Sequence, residues 1–155
     1  MEPTTTVLTE VAGFPVDLAR AYDPQTHLWV LDQGGGRLRV GLDALGVETS
    51  GTLAAVAFIA GGTELARGEP FGSLEAAKFV GPFVAPVAGR LTAVNEAVLG
   101  DPSLVERDPY GAGWLVEFDT TGFEAAGNLV VGPDAVNAWF AATVEDYRLK
   151  GLVAE

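Results

Sequence analysis

Short apolar runs separated by glycine- and proline-rich turns occupy most of the chain as far as Phe118. The segments 38–41 and 91–95 alternate apolar and polar side chains, which is the pattern of a strand with one face in the core. The continuous apolar run 53–59 is typical of a buried strand instead. Together the runs predict strands at 28–31, 38–41, 53–59, 70–74, 83–87, 91–95 and 114–118, and hence a mainly β fold.

Two segments carry helical signals. Asp43 is a good N-cap for a short internal helix over 44–49, which ends near Gly51. Near the C-terminus, Pro133 and Asp134 are helix-start residues, and apolar side chains then recur at helical spacing. We therefore expect an amphipathic helix over about 134–150 whose apolar stripe packs on the core: Val136, Trp139, Phe140, Val144 and Tyr147.

The change of pattern at both ends divides the chain into three predicted parts. Residues 1–21 are a weakly patterned leader that either packs on the domain edge or stays partly mobile. Residues 22–120 form the β domain, and residues 121–155 form a C-terminal extension with the helix. A chain of 155 residues is expected to hold one such domain with small appendages.

The stretch 74–89 is predicted to form two strands that meet at a tight bend, with Lys78 near the bend. The small residues Ala76 and Ala77 precede this lysine, and Gly81 and Pro82 follow it closely. A lysine displayed in this way stands clear of the backbone and can be reached by another protein. The alternative is an ordinary solvated turn lysine.

Composition narrows the classes of partner and site. The formal net charge of −12 argues against a nucleic-acid partner and against anionic membrane surfaces, and it favours partners with basic docking faces. The chain has no cysteine and a single histidine, His27. This excludes disulfides, thiolate chemistry and a multi-histidine metal site. No catalytic or metal-binding cluster is predicted.

The chain shows no targeting or membrane-spanning signal. No basic residue precedes Arg20, so a signal peptide is not predicted. The longest apolar run, 53–60, is far shorter than the ~20 residues that span a bilayer. A cytoplasmic location is expected.

Six motifs in register carry a resemblance to the glycine cleavage system H-protein family, whose fold is that of lipoyl and biotinyl carriers. The resemblance covers the chain from Tyr22 to Phe118, about two thirds of its length. The resemblance implies a flattened barrel or sandwich of antiparallel strands. The motifs are Tyr22 with His27-Leu28-Trp29; Val40-Gly41-Leu42 with Gly51; Gly72 to Lys78, with its Glu-x-x-Lys segment; Ala85-Pro86-Val87-Ala88-Gly89; Val94-Asn95-Glu96; and Leu104-Val105 with the segment from Asp108 to Leu115.

The resemblance implies a carrier subunit without an active site of its own. Its cofactor would be lipoate, attached covalently through an amide to Lys78 Nζ. Glu75 would be recognised by the lipoylating enzyme, a ligase or transferase, or else it is a solvated strand-end carboxylate. The partners would be the P, T and L type proteins of glycine cleavage. His27 and Trp29 would either touch the arm or pack the first strand on the core. Biotin is not expected, because biotinyl segments have methionine on both sides of the lysine, whereas Ala77 and Phe79 flank Lys78.

Two departures from the family pattern concern the cargo. The family carries a cationic aminomethyl group, and carboxylates are expected to hold the loaded arm. Here Leu28 and Pro82 stand at the two positions where the family pattern has those acids. The segment 78–82 also resembles lipoate-binding proteins of the heterodisulfide-reductase-like sulfur-oxidation pathway, so a sulfur carrier working with sulfur-oxidation enzymes is one alternative. An unlipoylated interaction module is another.

Overall fold

The structure is a computed structural model that describes residues 6–120 and 128–154. Part of the predicted leader (1–5), the start of the predicted extension (121–127) and Glu155 lie outside the described residues. The strands are β1 (Thr9–Val11), β2 (Phe14–Val16), β3 (Ala21–Tyr22), β4 (Leu28–Asp32), β5 (Arg37–Leu42), β6 (Leu53–Phe58), β7 (Glu64–Leu65), β8 (Pro70–Ala76), β9 (Val80–Val84), β10 (Gly89–Val94) and β11 (Val116–Asp119). The helices are α1 (Ala44–Ser50), α2 (Glu96–Gly100), α3 (Ser103–Arg107) and α4 (Pro133–Leu149).

Two antiparallel sheets form the body of the molecule. One has six strands in the order β3-β4-β5-β11-β10-β7, and the other has three in the order β6-β8-β9. Their inner faces share one apolar core, in which Phe71 of the smaller sheet meets Phe118 of the larger one edge-to-face at 5.9 Å between ring centroids. The predicted fold class, a mainly β sandwich of antiparallel strands with a short internal helix and a C-terminal helix, is confirmed.

A second apolar cluster lies under α4. Val136, Phe140 and Val144 are fully buried along one face of this helix. They pack with Val11 and Val16 of the β1–β2 hairpin, so the N-terminal segment from Thr9 to Val16 is structured and touches α4. The predicted helix and the packing role of its stripe are confirmed.

The run 53–59 is not the buried strand that its apolar composition predicts. Its residues 53–58 form β6, but only Leu53 is buried; the alanines are exposed, and Val56, Phe58 and Ile59 are partly exposed. The physical reason is its place at the edge of the three-stranded sheet, where small alanine side chains can face solvent.

The second strand of the predicted bend also begins earlier than expected, at Val80 rather than Phe83. Pro82 was expected to precede this strand but lies inside it, opposite Ser73. Because β9 is an edge strand, the missing N–H of Pro82 need not cost a hydrogen bond between strands. Helix α2, which Asn95 caps, was not predicted.

Among the described residues, no helix combines the length and the apolar character needed to cross a membrane. In the same part of the chain, no three His, Cys, Asp or Glu side chains gather as a metal site.

Candidate functional site

Lys78 lies at the tip of the hairpin formed by β8 and β9. The last ladder pair joins Glu75 to Val80, and the Ala76 N–H donates to the Phe79 carbonyl at 2.8 Å. Lys78 is exposed, as are its neighbours Phe79 (44%) and Val80 (76%). The structure therefore places the lysine at a tight bend between two strands, as the sequence predicts.

The backbone of this turn is tied to helix α1. The Ala77 N–H donates to the Thr52 carbonyl and the Lys78 N–H donates to the Ser50 carbonyl, each at 2.9 Å. Between these two acceptors lies Gly51, with φ of 77° and ψ of −161°, a conformation that only glycine adopts readily. The carrier turn, which we define as residues 76–79, is thus held in place by a neighbouring helix.

Helix α1 has a well-defined start. The Asp43 carboxylate caps it by accepting the Gly46 N–H at 2.8 Å through Oδ1. Its other oxygen, Oδ2, lies 2.9 Å from Nδ1 of His27. Asp43 is fully buried, so a single carboxylate fixes both the helix that holds the carrier turn and the histidine.

The side chains of the two predicted site residues point into solvent. Glu75 is exposed at the end of β8, three residues before Lys78. No ion pair among residues 6–120 and 128–154 involves Lys78 or Glu75. The chain's other lysine, Lys150, is paired with Asp146 at 2.9 Å.

Beside the carrier turn lies a cavity of about 300 Å³, which we call the arm-side cavity. It was not predicted, because its walls come from β4, α1, the β8–β9 hairpin and α4, which are far apart in sequence. None of the described side chains that line it is an aspartate, glutamate, lysine or arginine. They are Gln25, Thr26, His27, Leu28, Leu42, Gly46, Thr49, Ser50, Leu74, Phe79, Pro82, Phe83, Val84 and Tyr147.

His27 joins this cavity to the C-terminal helix. Its Nε2 lies 3.0 Å from the Tyr147 hydroxyl, and its ring stacks on Trp139 at 5.7 Å. Burial lowers the pKa of His27, but the charge of Asp43, the hydrogen bond to it and the charge of Asp23 raise the pKa, which ends above its ordinary value.

Tyr147 stays a hydrogen-bond donor at the cavity wall. Its pKa is raised, first by burial and then by the charges of Asp43 and Asp146. The hydroxyl therefore keeps its proton at neutral pH.

Trp29, unlike His27, does not line the cavity. It is fully buried, its Nε1–H donates to the Pro109 carbonyl at 3.0 Å, and the Arg20 guanidinium lies 4.3 Å from its ring centroid. Of the two residues expected either to touch an arm or to pack the first strand, Trp29 packs in the core, whereas His27 is buried against Trp139 and also lines the cavity.

The two departures from the family pattern meet in this cavity. Leu28 and Pro82 come from different sheets, yet both line it. Leu28 is 1% exposed and belongs to the floor, whereas Pro82 is exposed on β9. The positions where carboxylates are expected are thus occupied by an apolar side chain and a proline ring.

The family model and the related proteins that match this chain all point to the same family. Residues 20–140 match the family model for glycine cleavage H-protein. A glycine cleavage system H protein of Mycolicibacterium vanbaalenii is 39% identical over 110 residues, which cover 71% of this chain and 82% of that protein. One from Mycobacterium avium is 42% identical over 91 residues, which cover 59% of this chain and 69% of that protein.

A solved structure agrees with these relatives. The crystal structure of a glycine cleavage system H protein from Mycobacterium marinum superposes with a TM-score of 0.68 at 30% identity. The match covers 79% of this chain and 98% of that one. H proteins are lipoyl carriers and not catalytic subunits. The chain belongs to the glycine cleavage H-protein family, and its function is that of a lipoyl carrier.

Proposed function

We propose that Lys78 is the attachment point of the lipoyl group, through an amide to its Nζ, and that this chain shuttles an intermediate between partner enzymes. The observation that carries the proposal is an exposed lysine on a turn whose two central N–H groups donate to the Ser50 carbonyl at the end of α1 and the Thr52 carbonyl just beyond it. When attached, the lipoyl group supplies a disulfide/dithiol couple. The protein's own residues supply position and recognition.

The surroundings of Lys78 fit such a group. The Lys78 stem runs past Gly51, where an added Cβ would lie 3.4 Å from Lys78 Cγ, and the preceding residue, Ser50, lines the arm-side cavity. A lysine stem with a lipoyl tail reaches on the order of 14 Å by ordinary bond lengths. Tethering also keeps the group at high effective concentration near successive partner sites.

The partners follow from this role. The first is a lipoylating enzyme, a ligase or transferase, for which Glu75 offers an exposed carboxylate three residues before the lysine. The others are the P, T and L type proteins of glycine cleavage, in the cytoplasm. A carrier with a net charge of −12 is suited to partners with basic docking faces.

Intact mass of protein made in a lipoylation-competent host tests the attachment. We expect one lipoyl adduct on the wild type, none on Lys78→Arg and one on Lys150→Arg, since these are the chain's two lysines. An unmodified wild type, or an adduct that disappears with Lys150→Arg, would overturn the proposal. An unmodified wild type whose Lys78→Arg variant behaves identically would indicate an interaction module instead.

The role of Glu75 needs a separate rate measurement. We expect Glu75→Gln to slow lipoylation without changing stability, because the side chain is exposed. Glu64→Gln, an exposed strand carboxylate on the other sheet, is the matched control and should react like the wild type. Equal lipoylation rates for all three proteins would show that the lipoylating enzyme does not recognise Glu75, which would then be an ordinary solvated carboxylate.

Labelled glycine with glycine decarboxylase tests the pathway. We expect label on the arm of the lipoylated wild type and none on Lys78→Arg. Absence of label on a lipoylated protein would rule out the glycine assignment. The related proteins described above give no support to the sulfur-carrier alternative.

A further inference from the structure

The β1–β2 hairpin lies outside the part of the chain that matches the family. The family model matches residues 20–140, and both strands come before them. The hairpin is nevertheless fixed on the body of the molecule. The Arg148 guanidinium donates to the Ala12 carbonyl at the hairpin tip at 2.9 Å, and Phe14 meets Phe140 edge-to-face at 6.2 Å between ring centroids. The hairpin therefore presents its edges in a defined position.

The two edges of this hairpin are not equivalent. Its turn has two residues, both with positive φ, so Val11 and Phe14 are the hydrogen-bonded closing pair. Pairs alternate along an antiparallel ladder, so the next pair, Glu10 and Pro15, points its backbone groups away from the hairpin. Pro15 has no N–H to offer on the β2 edge, and helix α1 contacts that strand. The β2 edge is thus poorly suited to pairing with another strand.

The β1 edge is open by contrast. Within the part of the chain that the structure describes, no hydrogen bond uses the backbone N–H or carbonyl of Glu10. Val7 and Leu8, which precede the strand, are 66% and 48% exposed. A groove of about 320 Å³ lies along this edge, lined by Leu8, Thr9, Glu10, Gly13 and Pro15. An unpaired strand edge with exposed apolar side chains is a template for another strand.

This edge is complementary to itself. Extending β1 back by one residue gives Leu8 the same outward backbone orientation as Glu10, because the orientation repeats every second residue. Two copies can therefore run antiparallel about Thr9, with Leu8 of each copy exchanging both N–H···O bonds with Glu10 of the other. Each Val7 then lies opposite the buried Val11 of the second copy and extends its apolar row. A register centred on Glu10 would instead place two carboxylates opposite each other, which is unfavourable.

We infer that two copies of this chain join through their β1 edges and form a four-stranded antiparallel sheet in the order β2-β1-β1-β2. Because the hairpin of each copy has one open edge, the pairing closes as a two-fold dimer. It uses neither of the two larger sheets, so it leaves the carrier turn of each copy in place and does not depend on lipoylation. The contact is small and each chain has a net charge of −12, so the dimer is weak.

Sedimentation equilibrium of the full chain, over about 10 µM to 1 mM protein, tests this inference. We expect a monomer–dimer equilibrium with a dissociation constant on the order of 0.1 mM. The constant should fall as salt is added, because salt screens the repulsion between two acidic chains. A protein that stays monomeric up to about 1 mM would overturn the inference, and so would an association that salt weakens.

A proline variant tests whether β1 is the interface. Glu10→Pro removes an outward N–H but no hydrogen bond of the β1–β2 ladder, so the hairpin should persist. We expect its dissociation constant to rise about tenfold or more, because the dimer loses two N–H···O bonds. Glu10→Gln, which keeps the N–H and removes the charge, is the matched control and should dimerise at least as well as the wild type. Equal dissociation constants for the two variants would contradict the inference.

A second pair of variants keeps the test decisive if Glu10→Pro disturbs the hairpin. Leu8→Pro removes the other outward N–H from a residue that lies before β1, and Leu8→Ala removes only the side chain. We expect Leu8→Pro to dimerise at least about tenfold more weakly than Leu8→Ala, and equal constants would again contradict the inference. The lipoyl adduct should form on all four variants, so the failure of this inference leaves the proposed function standing.

Discussion

Gly51→Ala is expected to weaken the carrier turn more than it weakens the protein. Its backbone conformation, φ 77° and ψ −161°, costs a residue with a Cβ on the order of 1–3 kcal/mol. The new methyl group would also lie 3.3 Å from Ala77 Cβ and 3.4 Å from Lys78 Cγ, tighter than usual contacts. Since the free energy of unfolding of small proteins is roughly 5–15 kcal/mol, the variant should remain folded.

The strain can be relieved locally, because Gly51 lies between the two carbonyls that hold the turn. Rotating its backbone moves the Ser50 and Thr52 oxygens away from the Lys78 and Ala77 N–H groups. If the whole 1–3 kcal/mol is released in this way, the correctly placed turn becomes about 5- to 150-fold rarer. On the proposed attachment at Lys78, the rate of lipoylation at a low concentration of the carrier should fall by a comparable factor, because only the correctly placed turn presents the lysine to the lipoylating enzyme.

The assay follows the lipoyl adduct by intact mass over time, with urea unfolding measured in parallel. Gly68→Ala is the matched control, because Gly68 also has a positive φ, +89°, but nothing lies within 4 Å of its added Cβ. It precedes β8 at the end opposite the turn. We expect both variants to lose stability and only Gly51→Ala to be lipoylated slowly. Equal lipoylation rates for the two variants at equal stability would refute the proposed coupling.

Three further predictions concern stability. Because the pKa of His27 is higher in the folded protein than in the unfolded chain, protonation of His27 stabilises the fold. This contribution to the free energy of unfolding is complete below the unfolded-state pKa of about 6.5 and is lost as the pH rises through the folded-state pKa. Urea unfolding between about pH 5.5 and 8.5 should show this slope, and His27→Asn, which tolerates the observed φ of 62°, should remove it. Phe71→Ala should cost about 3–5 kcal/mol in urea unfolding, because this fully buried ring contacts three other phenylalanines. Asp17→Asn should cost about 3–5 kcal/mol, because it leaves the Arg20 charge buried without its partner, and a thermal midpoint like that of the wild type would contradict this.

The parts of the fold that the sequence predicts are those with local signals. Asp43 and Gly51 bound helix α1 as expected, because a cap and a left-handed glycine act over a few residues. The apolar stripe of α4 is readable because its spacing is that of the helix itself. The bend at Lys78 is similarly marked by its immediate neighbours.

Features that depend on distant partners could not be predicted in this way. An apolar run such as 53–59 predicts a buried strand wherever that strand lies in the sheet. Its actual exposure depends on its place in the strand order, which the run itself does not indicate. Pro82 reads as a strand breaker unless β9 is known to be an edge strand. The arm-side cavity joins Gln25 to Tyr147, a separation that no spacing rule connects.

The position of Lys78, the proposed attachment point, is itself a property of the tertiary structure. A chain of single contacts runs from the Tyr147 hydroxyl to His27, from His27 to Asp43, through the Asp43 cap into α1, and from the end of α1 to the Lys78 N–H. The predicted division at residues 21 and 120 remains a prediction, but these contacts cross the second boundary. The residues that place the lysine therefore include part of α4, about seventy positions away in sequence. A tethered group has a fixed reach, so a displaced attachment point changes which positions in a partner's site the group can occupy. A helix cap and a buried histidine consequently matter to a carrier even though neither takes part in the chemistry.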